Sequence, residues 1–188
     1  MNNARLAVAT QGVGVAEAAL QKAAAHAAGR EQTGPIITHP DVRRMLARMR
    51  AQVFAARAIT LSCAVAADMA RATGNAGWRD RAAFLTPIAK AYGTDTGCEV
   101  AAEAMQVQGG MGFIEETGAA QYYRDVRVTA IYEGTNGIQA MDLVGRKLAD
   151  GGEAAFRLIE EVEAIAEAAR ASMGGLASQL WNAAESLR

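Results

Sequence analysis

The sequence predicts an all-α protein, an antiparallel bundle of long helices, on three observations. Hydrophobic residues make up 51% of the 188 residues but aromatic residues only 5%, so the apolar content is mostly the aliphatic side chains and alanine that favour helices. Apolar residues recur with the period of a helix over long stretches. The breaks between these stretches are short, which favours helices that run antiparallel to their neighbours.

The first helix is predicted over residues 3 to 29. Its heptad spacing comes from Leu6, Val13, Leu20 and Ala27. Gly12 and Gly14 lie inside it, and because glycine weakens a helix, two glycines there predict that another backbone passes close by. The pattern is already running at Asn3 without an N-cap, so we expect the chain to be a fragment of a longer protein.

Two further long helices follow. The second is predicted to begin with Pro40 at its first position and to reach Gly74. Thr86 and Pro87 are typical of an N-cap and a first helical position, so the third helix is predicted from there through Met105. The segment between Gly74 and Thr86 is expected to be a turn.

The remaining chain is predicted to form shorter helices. A short helix is expected through residues 122 to 124, and an amphipathic helix after Gly151 and Gly152. Between them a last core helix is expected to carry Ile138, Met141, Val144 and Leu148. The two glycines divide the chain into a helical bundle, residues 1–150, and a helical extension, residues 151–188, which we expect to be truncated and to need a partner surface.

Charge and composition argue against several classes of function. Lys and Arg number 19 and Asp and Glu 20, a formal charge of -1 that offers no attraction to a polyanion, so we expect no nucleic-acid partner. Cys63, Cys98, His26 and His39 stand at no metal-ligand spacing, so we expect no metal. With no basic leader and no apolar run of membrane-span length recognised, the chain is expected to be soluble and cytoplasmic.

The first of two glycine-containing breaks is VQGGMGF, residues 107–113. Glycines at a helix end usually form a C-cap, and from this segment alone we favour that interpretation. The alternative is that bare backbone N–H groups in the loop approach a phosphate closely.

The second break is IYEGTN, residues 131–136. By default Glu133 is an acid placed favourably against the dipole of a helix that begins near Thr135. The alternative is that Glu133, beside Ile131 and Tyr132, sits in an apolar pocket and serves as a base.

The two breaks together resemble the acyl-CoA dehydrogenase family. The similar segments are AMQVQGGMGF and YYRDVRVTAIYEGTNGIQ, preceded by a long helix that ends at GREQTG, and the resemblance covers residues 2 to 149. The run from EETG to GRKL is further similar to the larger, C-terminally extended branch. The resemblance implies a parent enzyme that oxidises acyl-CoA to trans-2-enoyl-CoA with FAD.

The resemblance also implies roles for individual residues. Glu133 matches the catalytic base, and its backbone N–H the group that binds the thioester carbonyl. Gly134 matches a residue against the bound thioester, and Arg5 an arginine near the substrate. Ala4 stands where another branch carries its catalytic Glu, which leaves Glu133 as the candidate base.

The implied FAD contacts fall in three places. Arg30 matches an arginine that reaches the FAD of a neighbouring subunit. The loop that holds the pyrophosphate and adenine end is matched by Gln106, Gly109 and Gly110, and the FAD-contacting start of the next helix by Thr135 and Asn136. Thr33 and Gly137 depart from the residues common in the family, an aromatic residue and Gln.

The implied partners are an acyl-CoA thioester, an electron-transfer flavoprotein or similar acceptor, and further copies of the chain. The family's N-terminal helical domain and middle β domain are not in this sequence, so we expect the chain alone to bind FAD poorly and to be inactive. Three alternatives remain: an oxidase on the same fold, a DNA-associated relative, which the charge of -1 disfavours, and a helical oligomerisation module.

Overall fold

A computed structural model describes residues 2 to 188, in which seven α-helices and no strand occur. The helices are α1 Asn2–Gly29, α2 Pro40–Thr73, α3 Ala76–Gln108, α4 Gly110–Phe113, α5 Ala119–Arg127, α6 Asn136–Asp142 and α7 Glu153–Glu185. Single 3-10 turns lie at Ile36–Thr38, Glu115–Thr117 and Val128–Ala130, and a π-helical turn at Leu143–Lys147. The prediction of an all-α fold is confirmed.

The three long helices run up, down and up. Arg44 of α2 pairs with Glu103 of α3, and Gln52 pairs with Glu99, so α2 and α3 are antiparallel. Gly93 meets Ala9 and Gly97 meets Gly12, so α1 and α3 run in the same direction. A core of alanines from α1, methionines and valine from α2, and small residues from α3 fills the space between them. The packing of α3 against both α1 and α2 makes it the central helix.

The contact between α1 and α3 depends on glycine. A Cβ atom on Gly12 would stand 2.5 Å from the carbonyl oxygen of Gly93, and one on Gly97 would stand 3.0 Å from the carbonyl oxygen of Gly12. Gly12 therefore admits a passing backbone, as the sequence predicted. Gly14 does not, because nothing lies within 4 Å of its Cβ position.

The predicted start of the third helix was wrong. Helix α3 begins at Ala76, where the Asn75 side chain accepts a hydrogen bond of 2.8 Å from the backbone N–H of Gly77, and Pro87 lies inside the helix. Thr86 is buried and donates its hydroxyl to the carbonyl of Ala82 at 2.6 Å. Burial of this stretch offsets the cost of an internal proline, about 3 kcal/mol.

The predicted face of the last core helix was also wrong. Ile138, Met141 and Val144 are exposed by 45, 70 and 69%, whereas Gln139 and Asp142 are buried. The helix turns a polar face inward because buried cationic side chains from α1 and α3 stand opposite it.

The last helix folds back on itself. Met173 has non-helical dihedrals just before two glycines, and Arg188 reaches Glu163 at 2.7 Å. The predicted amphipathic pattern holds in part, since Ile159 is buried while Ile165 is 61% exposed.

Helix α2 is the one described helix long and apolar enough, by length and composition only, to cross a membrane. Its most apolar 18-residue window has a mean hydropathy of 1.5, with 28% of the window buried. One such helix is weak evidence for a membrane span. The core helix of a soluble protein passes the same test, and α2 packs along α1 and α3.

Candidate active site

Glu133 occupies a strained turn between the 3-10 turn after α5 and the start of α6. Its φ angle is +53°, in the left-handed region that non-glycine residues rarely adopt, and Gly134 follows at +85°. A Cβ atom on Gly134 would stand 2.9 Å from Nε2 of Gln139, the end of a flexible side chain, so the positive φ is what favours glycine there. Strained backbone of this kind clusters at functional sites.

Two side chains hold the turn that carries Glu133 by donating hydrogen bonds to it. The Lys90 ammonium of α3 donates to the Gly134 carbonyl at 2.8 Å, and the Gln139 amide of α6 donates to the same oxygen at 3.0 Å. Helix α6 starts directly after the turn, where the Thr135 hydroxyl accepts from the backbone N–H of Ile138 at 3.3 Å. The predicted helix entrance near Thr135 is therefore confirmed.

The apolar pocket expected around Glu133 is not formed by this chain. Ile131 and Tyr132 are 51 and 38% exposed, and Glu133 is exposed as well. Tyr132 instead ties the turn to α1, because its hydroxyl donates to the side chain of Gln11. The turn thus presents the carboxylate of Glu133 at the surface of the chain.

Arg5 is buried beside the same region. Its guanidinium donates to the Asp142 carboxylate at 2.6 Å, and the two side chains are only 4 and 2% exposed. Burial raises the pKa of Asp142, but hydrogen bonds from Arg5 and Arg146 outweigh it and hold that pKa below its usual value. Arg5 therefore joins α1 to α6, and its expected contact with substrate stays a prediction.

The residues expected to contact FAD at the end of α1 and in the loop after α3 come together in one cavity. Arg30, Gln106, Gly109 and Gly110 all line a cavity of about 440 Å³ between the end of α1 and the end of α3. His26 and His39 line it too. A guanidinium, an amide and free backbone are chemically suited to a pyrophosphate.

The glycines of this loop divide by role. Gly112 is required by packing, because its Cβ would stand 2.2 Å from the carbonyl oxygen of Met105, and Gly109 is required by its φ of +60° at the end of α3. Gly109 is the C-cap of α3, as the C-cap interpretation predicted. Gly110 has neither requirement, since nothing lies within 4 Å of its Cβ position.

The side-chain amide of Asn136 is engaged in hydrogen bonds within the protein. Its amide nitrogen donates to the Asp95 carboxylate at 2.7 Å and its amide oxygen accepts from Lys90 at 2.9 Å. The side chain therefore anchors α6 to α3, which leaves the backbone for the FAD contact expected at this position.

Sequence reasoning missed Lys90 and Asp142. Lys90 is fully buried; burial lowers its pKa, and the nearby Asp95 carboxylate opposes that effect. The sequence did contain one signal for Lys90: it lies among the buried residues of α3, one turn before Gly93 and Thr94. A charge at such a position is costly unless it has a partner. Asp142 gave a similar signal, as an acid among the apolar residues of the last core helix.

Neither cysteine contributes to the site. Cys63 is 1% exposed in the core, and burial raises the pKa of its thiol and of the Cys98 thiol. Within residues 2 to 188 there is no cluster of three or more metal-ligating side chains.

The family model for the acyl-CoA dehydrogenase C-terminal domain matches residues 1–149. The chain therefore belongs to the acyl-CoA dehydrogenase family.

Individual relatives agree. The 3-methylmercaptopropionyl-CoA dehydrogenase of Ruegeria pomeroyi is 46% identical over 95% of this chain, which covers 32% of that enzyme. The structure of butyryl-CoA dehydrogenase from Megasphaera elsdenii matches with a TM-score of 0.69 and 34% identity over 78% of this chain and 36% of its own. The chain thus spans about a third of these relatives' length.

A third similarity extends to the last helix. ACDH-11 of Caenorhabditis elegans, solved in complex with C11-CoA, matches 95% of this chain and 32% of its own with a TM-score of 0.81 and 20% identity. At that identity the match shows the fold alone. Coverage of 95% has to include much of α7, so the fold of the extension has a counterpart.

Proposed function

We propose that this chain is the C-terminal helical domain of a longer, FAD-dependent acyl-CoA dehydrogenase, and that Glu133 is its catalytic base. The observation that carries the proposal is the left-handed turn at Glu133, held by Lys90 and Gln139 at the entrance of α6. A non-glycine residue keeps this conformation only where its surroundings hold it, and such strained residues cluster at functional sites. Membership of the family and the acyl-CoA dehydrogenases among its relatives support the same role.

The chemistry of a thioester explains the need for the turn. The C–H bond alpha to the carbonyl is weakly acidic, so its proton leaves only to a positioned base while the carbonyl oxygen is stabilised. The carboxylate of Glu133 takes that proton, and the backbone N–H of Glu133 donates to the carbonyl oxygen. Gly134 leaves room for the thioester, and the product is a trans-2-enoyl-CoA.

Bound FAD supplies the acceptor for the hydride that leaves the beta carbon. Arg30 would reach the FAD of a neighbouring subunit, and Gln106, Gly109 and Gly110 would hold its pyrophosphate and adenine end. The absence of a packing requirement at Gly110 fits a backbone that a ligand approaches. Thr135 and the backbone of Asn136 contact the cofactor at the start of α6, and Arg5 supports the substrate side of the same helix.

The partners follow from this role. The substrate is an acyl-CoA thioester, electrons pass to an electron-transfer flavoprotein or similar acceptor, and the chain forms a homo-oligomer in the cytoplasm. Neither nucleic acid nor a membrane span enters the proposal. The isolated chain retains little FAD and is inactive.

The test is turnover by the full-length enzyme. Acyl-CoA thioesters are mixed with it without oxygen, and flavin absorbance and product are followed. Loss of the oxidised flavin band together with formation of an enoyl-CoA is expected. No reduction by any of a panel of straight, branched and thioether acyl-CoAs would contradict the proposal, and rapid reoxidation by oxygen would favour the oxidase alternative.

A further inference from the structure

Lys90 is a buried cation on α3, and it donates its hydrogen bonds to the turn that carries Glu133 and to the start of α6. Its ammonium donates to the Gly134 carbonyl at 2.8 Å and to the Asn136 side chain at 2.9 Å, a backbone carbonyl and an amide rather than a carboxylate. A buried ammonium without an ion-pair partner is costly, and a methionine would fill similar space without that cost. The position of the charge therefore calls for a reason other than packing.

The turn needs outside support to exist. Glu133 and Gly134 have successive positive φ angles, and a non-glycine residue in that region keeps it only when its surroundings over-determine it. Gln139 also donates to the Gly134 carbonyl, at 3.0 Å, but it belongs to α6 and moves with the turn. Lys90 supplies the contact from another element.

That other element, α3, packs closely against α1. Lys90 stands one turn before Gly93, whose Cβ position lies 3.1 Å from the carbonyl oxygen of Ala9 in α1. Thr94, four residues after Lys90, also contacts the Asn136 amide, at 3.0 Å. A site held by a rigid helix is more precise than one on a free loop.

We propose that Lys90 is a positioning residue for the reaction: it fixes the backbone of the Glu133 turn to α3, and thereby sets the direction of the carboxylate and of the N–H that receives the thioester carbonyl. This inference rests on the proposed function. It assigns Lys90 no contact with substrate or cofactor.

The test compares Lys90→Met with Lys22→Met in the full-length enzyme. Methionine has a similar length but no donor, and Lys22 is a half-buried lysine on α1 outside the site. The rate of flavin reduction at saturating acyl-CoA should fall by about 10²-fold in Lys90→Met, as expected for a small misplacement of a base, while acyl-CoA affinity changes by less than about threefold. Lys22→Met should react at the wild-type rate.

Hydrogen exchange separates positioning from general loss of stability. In Lys90→Met, peptides that cover residues 131–139 should exchange faster while peptides from α1 and α2 exchange as in the wild type. Equal acceleration throughout the chain would overturn the inference, because Lys90 would then be a core residue. Should Lys90→Met fail to fold, Lys90→Leu, which likewise has no donor, takes its place with the same expectations.

The outcome also distinguishes this inference from the proposal beneath it. A wild-type rate in Lys90→Met beside a slow Glu133→Gln overturns the role of Lys90 alone. Wild-type rates in both overturn the role of Glu133 as base, and that of Lys90 with it.

Discussion

Gly12 and Gly93 meet so closely that a Cβ atom on Gly12 would stand 2.5 Å from the carbonyl oxygen of Gly93. This contact joins α1 to α3, and α3 in turn carries Lys90 to the Glu133 turn. The position of the Glu133 turn therefore depends on a helix crossing that lies far from it in the sequence.

Gly12→Ala should destabilise the protein. The added methyl group has no room against backbone atoms, and overpacking of this kind costs roughly 1 to 3 kcal/mol. Gly14→Ala is the matched control on the same helix, and because its Cβ position is open it should add roughly 0.5 to 1 kcal/mol of stability. Urea unfolding of both variants measures the difference. Equal effects would show that the helices do not cross as described.

The Arg5 and Asp142 pair should give the protein a pH-dependent stability. The pKa of Asp142 is lowered in the folded state, so its contribution is complete above the usual value of 3.8 and is lost as the pH falls through the lower, folded-state pKa. At pH 7, Asp142→Asn should cost about 3 kcal/mol, because it leaves Arg5 buried without its charge partner.

The control for that pair is Asp41→Asn on α2. Asp41 is 73% exposed at its side chain and bonds only Arg44, so its loss should cost less than about 0.5 kcal/mol. The free energy of unfolding is measured at pH 7 and at pH 3. The difference in this free energy between wild type and Asp142→Asn should be smaller at pH 3. The same difference in the free energy of unfolding at both pH values would show that the Arg5–Asp142 ion pair does not cause the pH dependence.

Gly110→Val should weaken retention of FAD in the full-length enzyme without destabilising the helical domain. Nothing in this chain lies within 4 Å of the Cβ position of Gly110, so a large effect on flavin affinity is expected to come from a ligand that approaches the backbone. A loss of about tenfold in affinity, or ~1.4 kcal/mol, is expected by flavin titration. Gly175→Val, equally open but on α7, is the control. Unchanged affinity would remove this loop from the cofactor site.

Helix α2 should take part in the oligomer. Phe54, Leu61 and Val65 are exposed by 71, 57 and 55% along one side of it, and apolar area left in water promotes association. The double change Phe54→Glu and Leu61→Glu should lower the mass measured by light scattering. Ile165→Glu, which removes a side chain exposed by 61% on α7, should not. A strictly monomeric wild type would contradict this prediction.

The sequence predicted the long helices because their burial pattern is local and periodic. It predicted the entrance of α6 for the same reason, since Thr135 and the glycine before it are neighbours in the chain. It failed at Pro87, where long-range packing outweighs a local rule, and at Ile138, whose exposure depends on Lys90 and Arg5 from other helices. The partner of Lys90, the Gly134 carbonyl, lies 44 residues away in the sequence, so no local pattern predicts that contact.

Reduction of the flavin by Glu133→Gln in the full-length enzyme tests the central claim most directly. Glutamine keeps the shape of the turn and its backbone N–H but cannot take a proton, so acyl-CoA should still bind and perturb the flavin spectrum while reduction slows by about 10²-fold to 10⁴-fold in a stopped-flow experiment. If Glu133 is only an acid at a helix entrance, the change removes about 0.3 to 1 kcal/mol of stability and leaves the rate near that of the wild type. An undiminished rate of flavin reduction would contradict the assignment of Glu133 as the base.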